Sequence, residues 1–131
     1  MKKVALIGEM HSEGVNILYN NHCEVVNLTQ VPLKNLKSAL KDIHGIALRT
    51  AILDKELLKE CNNLQIVSRH GVGYDNVDLN FLNKNKIALA ITGAANAVTV
   101  SEHVMTMFLY LCKLINKSDQ LVKTGKFTKQ K

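Results

Sequence analysis

Two glycines that flank a single residue, Gly71-Val72-Gly73, follow an apolar run and precede Asp78, a residue type that often caps helices. Glycine lets the backbone turn sharply and leaves neighbouring amide N–H groups uncovered by side chains. A loop of this kind between a strand and a helix can hold a small anion. Residues 66–78 therefore predict a carboxylate site with the amides of Val72 and Gly73 as donors, and a purely structural turn is the alternative.

Two further polar positions follow or precede predicted elements. Arg49 and Thr50 come directly after a short apolar run, and a guanidinium there could pair with a carboxylate or phosphate; an ordinary surface arginine is the alternative. Asn96 stands just before a long helical pattern, where its amide either caps the helix or faces a ligand. Because ligands of open α/β sheets lie beyond the carboxyl ends of the strands, we expect these residues at that edge.

The elements that must position these residues alternate between strand and helix patterns. Five short apolar segments predict strands, and helical spacing follows Ser12, Pro32, Asp54, Asp78 and Asn96; the strands are predicted at residues 3–7, 24–28, 45–48, 64–67 and 87–91. Such alternation is typical of an α/β fold with a parallel sheet covered on both faces. We expect a single domain with a doubly wound, five-stranded parallel sheet of flavodoxin-like order.

The last predicted helix, residues 98–117, is unusually apolar. Between residues 104 and 115 only Thr106 and Lys113 interrupt the apolar run. A helix that is apolar on all sides is buried on more than one side, so we expect it to meet a partner domain or a second subunit. A membrane role is the less favoured alternative, since the run is short and flanked by lysines.

Composition and charge argue against a nucleic-acid surface and against a metal site formed by the cysteines. The chain has 131 residues and a net charge of +6, but much of the excess lies near its end, in Lys113, Lys117, Lys123, Lys126, Lys129 and Lys131. Without tryptophan or a basic stripe interleaved with aromatic rings, a solvated tail is favoured over a nucleic-acid surface. The three widely spaced cysteines predict reduced thiols in a cytoplasmic protein, with no metal site.

Two nucleotide or phosphate sites that suit such a sheet are also excluded. The segment GVGYDN departs from the dinucleotide fingerprint GxGxxG at Asn76, and no acid follows the strand at 87–91 to bind a ribose hydroxyl. A phosphate-accepting receiver domain needs an acid where Arg49 and Thr50 stand. Among the histidines, His70 beside the glycine loop is the one that merits a test.

Three segments resemble one known family. RT at residues 49–50, LQIVSRHGVGYDNVDL at 64–79 and GAANAVTVSEHV at 93–104 are similar to the D-isomer-specific 2-hydroxyacid dehydrogenases, nearest the D-3-phosphoglycerate dehydrogenase group. The resemblance implies two doubly wound domains, the first for substrate and the second for NAD. Residues 1–117 would form an incomplete substrate-binding domain, and residues 118–131 a basic tail leading towards an NAD-binding domain.

The resemblance also implies roles for single residues. Arg49, with Thr50 beside it, matches a substrate-side arginine; Gly71, Val72 and Gly73 match the carboxylate-binding loop; and Asn96 matches an asparagine near substrate and nicotinamide. The catalytic arginine, glutamate and histidine are expected outside this chain. The helix at 98–117 matches one that packs in the family's homodimer. Gly93 and Ser101 replace a usual proline and alanine, which implies a less stiff loop.

The function implied is hydride transfer between a small 2-hydroxy or 2-oxo acid and NAD, with this chain positioning the carboxylate and inactive on its own. The alternative is a free-standing small-acid binding or dimerisation module that lacks catalysis. The residues leave open which acid is bound and whether the cofactor is NAD or NADP.

Overall fold

A computed structural model of the protein describes residues 1–128, apart from the side chains of residues 33 and 34. Its sheet has five parallel strands, β1 (Lys3–Ile7), β2 (Glu24–Asn27), β3 (Gly45–Leu48), β4 (Ile66–Arg69) and β5 (Ala88–Ile91). The strand order is β2-β1-β3-β4-β5. The predicted fold class, a parallel five-stranded α/β sheet of flavodoxin-like order, is thereby confirmed. The predicted fourth strand was placed too early, because β4 runs on to Arg69.

Four helices connect the strands: α1 (Ser12–Asn20), α2 (Leu33–Ala39), α3 (Lys55–Leu58) and α4 (Leu79–Lys84). Asp54 and Asp78 cap α3 and α4 as predicted, each carboxylate accepting a backbone N–H at 2.9 Å. The predicted Ser12 cap is wrong, since His11 caps α1 by accepting the amide of Glu13 on its Nδ1 at 3.3 Å. Leu33, a predicted apolar position of α2, lies outside the described side chains.

One face of the sheet carries the hydrophobic core. Every second side chain of the central strands points to this face and packs against leucines of α2, α3 and α4. Leu40, Leu48 and Val67 are fully buried there. Burial of this kind contributes roughly 1.5–3 kcal/mol per large side chain. The core therefore fixes β3 and β4 in register and holds their carboxyl ends side by side.

The opposite face is only partly covered. There α1 and the sheet line a mostly apolar cavity of about 410 Å³ that reaches from Val4 and Leu6 to Ser68 and His70. Within the sheet unit this face is open towards the β5 edge, where Ile66 is 42% exposed. Helices thus lie on both faces, as predicted, and within the sheet unit α1 covers only part of this one.

The chain divides into two compact units, Met1–Gly93 with the sheet and a helical unit from Ala94 onwards. The helical unit contains α5 (Ala97–Cys112) and α6 (Ile115–Lys123). The predicted single helix at 98–117 is wrong, because Leu114 takes a left-handed conformation with φ 50° and separates the two helices. Residues 118–123 of the predicted tail are therefore helical, and residues 129–131 lie outside the described part.

The helix α5 exposes large apolar side chains along its length, among them Val98, Val104, Met105, Phe108 and Leu111. The predicted packing of this helix against a partner domain or a second subunit stays a prediction. By length and hydropathy, no single described helix could cross a membrane, and α5 and α6 meet the criterion only as a pair bent by 59°.

Candidate functional site

The predicted site residues of the sheet unit meet at the carboxyl edge of the strands. The amide of Arg49 donates to the carbonyl oxygen of Ile7 at 3.0 Å, and the amide of His70 donates to Leu48 at 2.7 Å. These two bonds continue the ladders of β1, β3 and β4 by one residue. Arg49 and the start of the glycine loop are therefore neighbours on adjacent strand ends, as the parallel topology predicts.

The glycine loop is fixed at its first residue and open at the next two. The amide of Gly71 donates to Arg69 at 2.9 Å, and its carbonyl oxygen accepts the amide of Thr92 at 3.2 Å. Within residues 1–128, the amides of Val72 and Gly73 donate to no protein acceptor. Two adjacent peptide N–H groups without an acceptor can each donate to an anion, which is what a carboxylate cradle requires.

The far end of the loop is tied to the segment after β3. The side-chain amide of Asn76 donates to the carbonyl oxygen of Ala51 at 2.7 Å, and the backbone carbonyl oxygen of Asn76 accepts the amide of Leu53 at 2.8 Å. A parallel bridge between Leu53 and Val77 extends the connection. The loop is thus held at both ends, so its open amides lie at a defined place.

The loop departs from a dinucleotide-binding loop at its last position. Asn76 occupies the position where a dinucleotide loop needs its third glycine, and it serves as a structural tie instead. The strand β5 ends at Ile91 and is followed by Thr92 rather than by a ribose-binding acid. That this loop is not a dinucleotide site stays a prediction.

Arg49 is positioned by the segment after β1. Gly8 has φ +101°, and a Cβ added to it would lie 2.8 Å from the Cβ of Arg49, so the two backbones pass at a distance that only glycine allows. The guanidinium is exposed and reaches the carbonyl oxygen of Glu9 at 3.5 Å. Thr29 donates to the carbonyl oxygen of Gly8 at 3.2 Å and anchors this turn from β2.

Arg69 also lies at this edge of the sheet, where the parallel topology predicts it, although no binding role was predicted for it. Its Nη1 donates to the carbonyl oxygen of His70 at 2.9 Å, and its guanidinium lies where a side chain on Gly71 would be. Its Nε is buried without an acceptor among the described residues. The sequence places Arg69 two residues before the loop, but the contact of its guanidinium with the loop is not indicated by residue type or spacing.

Negative charge near the loop works against anion binding. A carboxylate oxygen of Asp75 lies 3.5 Å from the place of a Cβ on Gly73. Its side chain accepts no hydrogen bond from residues 1–128, so its charge is not neutralised by a neighbouring donor. Positive charge at Arg49 and Arg69 and negative charge at Asp75 therefore occur at the same edge of the sheet.

The remaining predicted positions are Thr50, Asn96 and His70. Thr50 is exposed at the edge beside Arg49. Asn96 belongs to the helical unit and precedes α5, but its side chain makes no capping hydrogen bond, so the capping interpretation is wrong. Its predicted contact with substrate and nicotinamide stays a prediction. His70 lines the cavity on the open sheet face together with His11.

The described residues contain no group of three or more metal-ligating side chains. The cysteines are free thiols; Cys61 is buried and Cys112 is exposed. Burial raises the pKa of the Cys61 thiol to about 11, with the nearby charge of Glu60 adding to the effect. Cys61 is therefore a protonated core residue rather than a nucleophile.

Comparison with known proteins identifies the family of this chain. Residues 4–129 match the model of the catalytic domain of the D-isomer specific 2-hydroxyacid dehydrogenases. The chain belongs to this family. The resemblance of the loop and of the segments at 49–50 and 93–104 is thereby confirmed at the level of the family.

Relatives within the family include D-3-phosphoglycerate dehydrogenases. That of Archaeoglobus fulgidus is 27% identical over 98% of this chain and 25% of its own length. The human one is 26% identical over the full chain and 25% of its own length. A solved structure of 3-phosphoglycerate dehydrogenase from Entamoeba histolytica with NAD+ bound superposes with a TM-score of 0.70, at 27% identity over 83% of this chain and 38% of that one. The chain spans a quarter to about two fifths of the length of such relatives.

Proposed function

We propose that this chain is the substrate-binding part of an NAD-dependent D-2-hydroxyacid dehydrogenase, similar to phosphoglycerate dehydrogenase. The observation that carries the proposal is the pair of open amides at Val72 and Gly73, in a loop that begins on the strand end next to that of Arg49. In this arrangement the amides hold the carboxylate of a 2-hydroxy or 2-oxo acid by two N–H donors. Arg49 adds a charge-assisted contact. The family resemblance implies that Asn96 lies near substrate and nicotinamide in the whole protein.

The chemistry proposed for the whole protein is hydride transfer between C2 of the acid and nicotinamide, with a histidine and glutamate handling the hydroxyl proton. NAD would be bound mainly by a further domain, since the loop here does not fit a dinucleotide. What this chain supplies is orientation: a carboxylate held at two points presents C2 in a fixed direction. We expect the 131-residue chain alone to show no turnover, and NADH-dependent reduction of a 2-oxo acid by it would overturn this part.

Calorimetry with (R)-lactate tests acid binding. Arg49→Met removes one charge-assisted contact, which we expect to weaken binding about tenfold. Lys2→Met is the matched control, because Lys2 contacts Gln65 at the opposite, amino-terminal edge of the sheet while its loss lowers the net charge by the same amount. Binding that is absent in the unaltered chain, or equally weak in both variants, would contradict the proposed site.

A homodimer through α5 is the second part of the proposal, and the exposed apolar side chains of that helix support it. The alternative of a dimerisation module without catalysis rests on the same observation. Light scattering after gel filtration should give twice the mass of one chain, and Phe108→Glu should reduce it to one. Tyr19→Glu, an exposed aromatic residue of α1, is the control. A monomeric unaltered chain would exclude dimerisation.

We place the protein in the cytoplasm, which its free thiols favour. No role in nucleic-acid binding or in a membrane is proposed.

A further inference from the structure

A polar cavity of about 440 Å³ lies between α3 and α4. Lys55 and Lys59 line it on the α3 side, and Phe81 and Lys84 line it on the α4 side. We call it the lysine cavity. Its volume is in the range of cavities that hold small organic ligands, and none of its lining residues belongs to the site at the glycine loop.

Helical geometry brings the three lysines to the same cavity. The amide of Lys59 donates to the carbonyl oxygen of Lys55 at 3.0 Å, so the two lysines lie one turn apart on one side of α3. Lys84 follows Phe81 by three residues and therefore shares a side of α4 with it. An anion in the lysine cavity would thus have positive charge next to it from both helices.

The positive charge of the lysine cavity is not neutralised by carboxylates. Within residues 1–128, neither Lys55 nor Lys84 forms a salt bridge, whereas Lys59 pairs with Glu56 of its own helix at 2.6 Å. Asp78, the acid among the lining residues, already accepts a backbone amide at 2.9 Å as the cap of α4. Two ammonium groups at this cavity therefore have no counter-ion from the described part of the chain.

The arrangement of these lysines does not favour folding. Like charges four residues apart on a helix repel each other, and Lys55 and Lys59 have this spacing. Lys84 adds a third positive charge from the neighbouring helix. A bound anion would relieve this repulsion, because it places negative charge between the ammonium groups.

We propose that the lysine cavity is a second anion site, which binds the polyphosphate group of a small molecule. Three ammonium groups on two helices suit several linked negative charges, because a single carboxylate cannot contact all three. Lysine binds phosphate as a point charge and requires no fixed direction of approach. The proposal is independent of acid binding at the glycine loop, since the two sites share no residue.

Calorimetry with sodium tripolyphosphate tests the site, on the full chain in metal-free buffer of low salt. We expect the unaltered chain to bind, and Lys55→Met/Lys84→Met should weaken binding about tenfold. Lys55→Arg/Lys84→Arg keeps both charges and should retain binding. Because both side chains are exposed, all variants should fold as the unaltered chain does, which circular dichroism checks.

Lys117→Met/Lys126→Met is the matched control. It removes the same charge from the basic region in and after α6, away from the lysine cavity in sequence. Binding of tripolyphosphate should stay within about twofold of that of the unaltered chain. An equal loss in the control and in Lys55→Met/Lys84→Met would show that overall charge attracts the anion, and would overturn the site.

ATP in place of tripolyphosphate identifies the source of the phosphate groups. Tighter binding of ATP that is lost in Lys55→Met/Lys84→Met would support the site and assign a nucleoside polyphosphate to it. An affinity for ATP no higher than for tripolyphosphate, with the same loss in the variant, would support a site for the polyphosphate group alone. Absence of binding of both compounds to the unaltered chain would overturn the proposal and would leave acid binding at the glycine loop untouched.

Discussion

Gly8→Ala should destabilise the sheet unit and displace Arg49. Gly8 has φ +101°, where a non-glycine residue costs roughly 1–3 kcal/mol. The new methyl carbon would also lie 2.8 Å from the Cβ of Arg49. This neighbour is attached directly to the backbone and cannot swing away as the end of a long side chain does. With both effects, we expect the free energy of unfolding to fall by about 2–4 kcal/mol.

Gly14→Ala is the matched control for this change. Gly14 lies in α1, and a Cβ added to it would meet nothing within 4 Å. Alanine in a helix is more favourable than glycine, so the same substitution there should raise the free energy of unfolding by about 0.5–1 kcal/mol. Urea denaturation followed by circular dichroism measures the change in free energy of unfolding for both substitutions. Because the two expected changes have opposite signs, a systematic error in the absolute values does not affect the comparison.

A double-mutant cycle separates backbone strain from the steric contact. In the background of Arg49→Gly, the Cβ that Gly8→Ala would meet is gone, whereas the strain at φ +101° stays. We therefore expect Gly8→Ala to cost about 1–2 kcal/mol less in that background. If Gly8→Ala alone changes the free energy of unfolding by less than about 0.5 kcal/mol, the tight turn that positions Arg49 does not exist as described.

Two further predictions follow from groups beside the site and in the core. Asp75→Asn removes a negative charge next to Gly73 and should tighten (R)-lactate binding about two- to fivefold. Asp42→Asn is the control and should leave the affinity unchanged, because Asp42 precedes β3 at the amino-terminal edge. Unchanged affinity of Asp75→Asn in calorimetry would show that Asp75 does not face the anion. Cys61 has its pKa raised from 9.0 to about 11, so its contribution to stability is complete below pH 9 and is lost as the pH rises to about 11. The unaltered chain should therefore lose about 2 kcal/mol more than Cys61→Ala between pH 8 and 10.5 in urea denaturation, and parallel losses would contradict a buried thiol.

The sequence predicted the sheet and the loop because both depend on local signals. Short apolar runs bounded by polar turns locate strands, and the parallel order follows from the helical segments between them. Asp54 and Asp78 cap helices by a bond to a backbone amide three residues ahead, which spacing alone indicates. The place of Arg49 at the ligand edge follows from the same topology.

The failed predictions concern features without a local signal. The break between α5 and α6 occurs at Leu114, where neither glycine nor proline marks an end. The extension of β4 to Arg69 depends on pairing with β3, in which Leu48 is opposite Arg69. The polar residues at 68 and 69 do not by themselves predict a strand. The position of the Arg69 guanidinium over Gly71 depends on the three-dimensional shape of the loop, which residue types alone do not predict.

The most direct measurement of the central claim is an amide ¹H–¹⁵N spectrum of the chain titrated with (R)-lactate. Binding to the open N–H groups predicts the largest shifts at Val72 and Gly73, because hydrogen bonds to a carboxylate form there. The amide of Gly71 already donates to Arg69 and should shift less. Arg49→Met should reduce the shifts at equal ligand concentration. Unmoved resonances for Val72 and Gly73, with larger shifts elsewhere in the sheet unit, would contradict the account.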